Sequence, residues 1–143
     1  MKSGTQITSD VRSLINIPEV LDNISGKIYP YVLQIKDNTS IVVSCYTVSN
    51  QFMQNATVNV NVHCPMLSIK PEGSVDPQQI QMPDLNTFDK VTSLILPYLD
   101  CQYKYDFNTE VESPGVLIRD TDGSYFLNIR VKYRSLQTNY KNI

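Results

Sequence analysis

The chain contains a single histidine, His63, no tryptophan, and three cysteines, Cys45, Cys64 and Cys101, none in a CxxC pair. One histidine leaves a serine or cysteine nucleophile almost no choice of base. No GxSxG, Walker A, GxGxxG or HExxH pattern occurs. A zinc site wants about four ligands at recognisable spacing, and neighbours in a strand point to opposite faces, so His63 and Cys64 cannot easily share an ion. No catalytic, cofactor-binding or metal-ligating residue is therefore expected. No apolar run approaches the ~20 residues that span a bilayer, and no apolar stretch follows Lys2 as a secretory leader would require. A sparse, odd set of cysteines in such a chain suggests reduced thiols in a cytoplasmic product. The net charge of -2 supplies no basic field to hold nucleic acid.

What remains suits one domain over 1–143. The chain is 41% hydrophobic, enough for a core, and too apolar and too weakly charged for disorder. Residues 8–25 read as helical, from Val11, Leu14, Ile15, Leu21 and Ile24 near a 3.6-residue period. Thr8, Ser9 and Asp10 offer N-caps, Pro18 breaks the pattern into two pieces, and Gly26 suits the stop. Lys27–Tyr31 is extended, with Pro30 confined to an edge or strand end. Ile41–Val48 is a β-branched buried strand. Residues 55–66 alternate Ala56, Val58, Val60, Val62, Cys64 and Met66 against Thr57, Asn59, Asn61 and His63. A hairpin between these two strands follows.

Residues 67–83, with Pro71, Gly73, Pro77 and Pro83, read as a long loop of the kind that carries contacts. Residues 84–99 form a second amphipathic helix capped by Asp84, and Pro97 should end or bend its last turn. Tyr103, Tyr105, Phe107 and Val111 then alternate with Lys104, Asp106, Asn108, Glu110 and Glu112 as a strand. Pro114-Gly115 reads as a turn, Val116–Arg119 as a short strand, and Asp120–Gly123 as a hairpin turn. The last strand, 124–136, sets Tyr125, Leu127, Ile129, Val131 and Tyr133 against Asn128, Arg130, Lys132 and Arg134. The polar tail from Gln137 is expected to fray. The fold class is α+β: a mainly antiparallel sheet with two amphipathic helices on one face.

Two carboxylate pairs, Glu110 with Glu112 and Asp120 with Asp122, have the residue type for acid–base work. A solvated strand face and ordinary turn chemistry explain them better. The basic stripe Arg130, Lys132 and Arg134 could meet phosphates, or pair across strands with Asp106 and Glu110. Nine tyrosines serve core packing or an interface.

The N-terminal helix, the piece Gly26-Lys27-Ile28-Tyr29-Pro30, the strand Ile41-Val42-Val43, the strand Ala56–Val62 and the helix at 84–99 together resemble the tail-completion or tail-terminator family of tailed bacteriophages. The resemblance implies a structural virion protein of the neck, without enzymatic activity or cofactor. It implies a ring, commonly a hexamer, that ends the tail tube and joins it to the head-side connector, with DNA passing the lumen. Many members of that family have a shorter stretch between the second strand and the second helix than residues 67–83 here. Interface residues are then expected at Pro71, Glu72, Asp76, Gln78, Arg130, Lys132 and Arg134, and deleting residues 70–80 should spare the fold but stop assembly. Another neck or connector ring, a small α+β ligand-binding domain, and a monomeric inhibitor are the alternatives.

Overall fold

The computed structural model describes residues 1–33, 37–69 and 80–136. The chain opens on α1 (Gly4–Ile15), whose cap is Ser3 and not Thr8, Ser9 or Asp10. Ser3 Oγ accepts from the Gln6 amide, and the Gln6 side chain accepts from the Ser3 amide. This reciprocal box satisfies two helix-start donors at once and sets the start earlier than the apolar period indicated. Pro18 opens a separate turn of helix, α2 (Pro18–Leu21), since its ring fits a first helical position. Gly26 is no helix stop. A side chain there would overlap Ser40 Oγ and the Thr39 carbonyl, and its amide donates to Thr39 O at 2.8 Å.

Next come β1 (Ile28–Pro30), β2 (Ser40–Ser49) and β3 (Met53–His63). Two short strands follow, β4 (Leu67–Ile69) and β5 (Ile80–Met82). Then come α3 (Leu85–Leu99), β6 (Gln102–Tyr103), β7 (Asn108–Arg119) and β8 (Tyr125–Leu136). The main sheet runs β1-β2-β3-β8-β7-β6 and is antiparallel except where β1 lies parallel to β2. The fold is the expected α+β arrangement.

Helices α1 and α3 pack on each other and on one face of the sheet. Beneath them lie Ile41, Val43, Val58, Val60, Val62, Ile129, Val131 and Tyr133, all fully buried. Phe88, Val91, Ile95 and Leu99 of α3 close this core, as their three-and-four spacing required. Asp84 caps α3 through the Thr87 amide, and the helix ends at Leu99, within the turn that Pro97 occupies. The alternation of β3 is realised rung by rung, from buried Gln54 to buried Val62.

The region after α3 departs from expectation. Tyr103 and Tyr105 do not face the core: both are exposed. The Lys104 amide donates to the Phe107 carbonyl at 2.8 Å, so residues 104–107 turn the chain and interrupt the alternation. Pro114-Gly115 is not a turn either. β7 pairs with β8 from Asn108 to Arg119, and the extra residues are absorbed as bulges between Val111 and Ser113 and between Ser113 and Val116. Gly115 holds φ at +146°, a conformation that favours glycine. The 67–83 stretch is not wholly loop, because β4 and β5 pair as a two-stranded ribbon.

Candidate interface

The face of the sheet opposite the helices is polar along β3 and along Asn128–Arg134 of β8. β8 crosses it with Arg130, Lys132 and Arg134, set between the Asn59, Thr57 and Asn55 rungs of β3. On the other side, the β7 rungs are Ser113, Glu110 and Asn108. All three basic residues thus share one face, as their period of two indicated. Arg134 is engaged: its Nη2 lies 3.2 Å from Glu110 Oε1. Asp106 does not join this pairing, because it is bonded to Lys2 on the helix side at 2.7 Å. Glu110 and Glu112 do not form a facing pair, because the bulge leaves Glu112 without a cross-strand partner. Asp120 and Asp122 serve the hairpin. Asp120 accepts from the Thr121 amide at 2.7 Å, and Asp122 accepts from the Ser124 amide at 3.0 Å. The expected contact residues Pro71, Glu72, Asp76 and Gln78, and the tail from Gln137, lie outside the described residues.

An amide cluster on the open face escaped sequence reading. Asn128 Nδ2 donates to Asn61 Oδ1 at 2.7 Å and to Asn59 Oδ1 at 3.2 Å. Alternation put these residues on a polar face, but only the β3–β8 register brings them together. His63, on the same face, stacks on Phe126 with centroids 5.4 Å apart. Cys64 is buried, and burial pushes its thiol up to about 11, which keeps it protonated at neutral pH. Among the described residues, no three His, Cys, Asp or Glu side chains converge as a metal would need.

A second missed cluster anchors the N-terminus. Lys2 Nζ bonds Asp10 at 2.6 Å and Asp106 at 2.7 Å and lies 5.2 Å from the Phe107 ring centroid. Burial opposes its charge, but the hydrogen bonds to Asp10 and Asp106 outweigh that and hold its pKa above the ordinary value. Tyr133 OH donates to the same Asp10 oxygen at 2.6 Å. The buried Gln54 side chain accepts from the Lys2 amide and donates to its carbonyl at 2.8 and 2.9 Å. The cluster joins α1, β3, β8 and the 104–107 turn. Beside it, Met53, Tyr103, Tyr105, Phe107 and Arg134 line a cleft of about 400 Å³.

The sheet edges are treated unequally. Arg12 Nε donates to the outward carbonyl of Ile28 at 2.9 Å. Thr8 Oγ1 accepts from the Cys45 amide at 3.0 Å, at the β2 bulge. Asp100 Oδ1 accepts from the Val111 amide at 2.9 Å. Each side chain occupies an edge group that would otherwise template a further strand. Among the described residues, the stretch Val116–Arg119 has no such cap, and Val116 and Ile118 are exposed beside it.

This arrangement offers a polar patch on the open face, two protruding tyrosines, a partly capped edge and a ribbon, which together make a surface for association. No family model matches the chain, and a search of curated proteins finds no relative. Among the described residues, no helix is long and apolar enough to cross a membrane.

Proposed function

We propose that this chain is a structural protein of the phage virion, a subunit of a ring at the head–tail joint that ends the tail tube and connects it to the neck. The observation that carries the reading is how the family-like element order is realised. The Gly26–Pro30 piece becomes a short edge strand, Ile41–Val43 and Ala56–Val62 become the buried rungs beside it, and the helices cover one face only. In this reading the Arg130 and Lys132 part of the other face, the Val116–Arg119 stretch of β7 and the β4–β5 ribbon serve neighbours.

In this reading the partners are further copies of the chain, commonly as a hexamer, together with the tube protein and the head-side connector proteins. Arg130 and Lys132 project from the open face and are the residues suited to passing contact with phosphates of DNA in the lumen. The role needs no chemistry, cofactor or membrane, and its place is the virion. A ring requires unlike patches that close by rotation, and a strand edge and a separate two-stranded ribbon are two unlike patches.

The test is light-scattering mass after size exclusion, with negative-stain images of the same fractions, followed by addition to purified tail tubes. Annular particles of about six copies, or binding at tube ends that stops their growth, is the expected result. A monomer at every concentration that leaves tube growth unchanged would overturn the reading.

A further inference from the structure

The outer side of β7 can be followed group by group. β6 covers its first two residues, Asn108 and Thr109. Asp100 takes the Val111 amide, and Pro114 has no N–H to offer. At the far end the Asp120 amide turns inward to Ser124 O at 2.7 Å. Antiparallel strands alternate inward and outward groups, so Leu117 and Arg119 direct their N–H and C=O away from β8. No described residue meets them. Beside this open stretch, Val116 is 55% exposed and Ile118 is 38% exposed. Both stand on the open face, opposite Asn128 and Phe126.

The β4–β5 ribbon has the complementary need. It has three residues a side, and among the described residues each strand pairs only with the other. An isolated two-stranded hairpin is marginal in water, so such a ribbon gains from a third strand. Leu67 and Met82 face each other in register and are 43% and 41% exposed. The strands Leu67–Ile69 and Ile80–Met82 carry no charged residue, so neither places a charge against Val116 and Ile118 or a like charge beside Arg119. The ribbon follows the end of β3, which β8 separates from β7 in the sheet. Its Gln81 shares a cleft with Arg119, Gly123 and Tyr125 at the tip of the β7–β8 hairpin. The ribbon therefore lies across that tip and is not the fourth rung of its own β7 edge.

We propose that the Val116–Arg119 edge of one copy receives the β4–β5 ribbon of a neighbouring copy as an added strand. The proposal rests on the ring reading and names the contact that builds the ring. Backbone hydrogen bonds to Leu117 and Arg119 supply the pairing, and Leu67 or Met82 covers Val116 and Ile118. The two patches differ, so the contact is heterologous and propagates from copy to copy.

The test uses the full chain with Ile118→Lys, which charges the edge, and Met82→Lys, which charges the ribbon. Both sites are exposed, and a wild-type thermal melt confirms the fold of each variant. The concentration at half-assembly, read by light scattering, should rise at least about tenfold in each variant alone. Mixing the two variants leaves one competent contact, the ribbon of Ile118→Lys on the edge of Met82→Lys, and should give one-to-one dimers without rings. If both variants assemble like wild type, or the mixture gives no mixed dimer, the assigned contact is overturned while the ring reading stands. If wild type itself never assembles, alone or on tubes, the ring reading falls and this proposal with it.

Discussion

Tyr133→Phe tests the cluster that joins both ends of the described chain. The Tyr133 side chain is fully buried in β8, and its ring stacks on Phe107 with centroids 5.2 Å apart. Phenylalanine keeps the ring and removes only the hydroxyl that donates to Asp10 Oδ2 at 2.6 Å. A hydrogen bond to a charged group contributes about 1.5–3 kcal/mol. Asp10 would keep Lys2 as a partner, and its side chain is 26% exposed, so water replaces part of the loss. The low end applies, about 1.5–2 kcal/mol, or roughly 5–7 °C in Tm for a chain of this size. Urea unfolding followed by far-UV circular dichroism should show a lower midpoint at unchanged slope. Lys2→Met shares the same Asp10 oxygen, so the two substitutions should be non-additive by at least about 0.5 kcal/mol.

The pH dependence sharpens the test. Burial and the bond to Asp10 raise the Tyr133 pKa above its ordinary value, and Lys2 is raised as well. Both groups hold their protons more tightly folded than unfolded. Their contribution is therefore complete below about pH 10, where the unfolded groups begin to titrate, and is lost as pH rises toward the folded values. The difference between wild type and Tyr133→Phe should be flat from about pH 6 to 9 and shrink above about pH 10. A Tyr133→Phe protein within about 0.5 kcal/mol of wild type at pH 7 would refute the assignment of this cluster as the N-terminal anchor.

Gly115→Ala would place a Cβ 2.7 Å from Leu127 Cδ2 at φ +146°; a cost of about 1–3 kcal/mol is expected in the same unfolding assay, and wild-type stability would show that the bulge needs no glycine. Brief thiol labelling of the folded protein at pH 8 should modify the exposed Cys101 and leave the buried Cys64 intact until denaturant is added. The charge of Asp100 raises the Cys101 thiol, so its labelling should also lag behind that of a free cysteine peptide; Cys64 reacting as fast as Cys101 would contradict its burial.

Local periodicity alone determined much of this protein. The alternation from Ala56 to Val62 and from Leu127 to Tyr133, the apolar stripe of α3 with its Asp84 cap, and the Asp120–Gly123 turn were legible because side-chain direction repeats every two or 3.6 residues whatever lies elsewhere. The shared face of Arg130, Lys132 and Arg134 belongs with them. Local signals misled where pairing over a longer stretch overrode them. Pro114-Gly115 has turn chemistry, yet pairing with β8 continues past it and absorbs the pair in a bulge. Tyr103 and Tyr105 keep the strand rhythm, yet the Lys104–Phe107 hydrogen bond turns them outward.

Only the tertiary structure decided the strand order, the parallel β1, the meeting of Asn59, Asn61 and Asn128, and which edge groups are capped. It also decided the Lys2–Asp10–Tyr133 cluster, whose bond from Tyr133 to Asp10 spans 123 positions of sequence. No periodic signal reaches that far. Such contacts are chosen by the register of whole strands and by the need to give each buried polar group a partner, and both are settled only when the sheet and its helix layer close on one another.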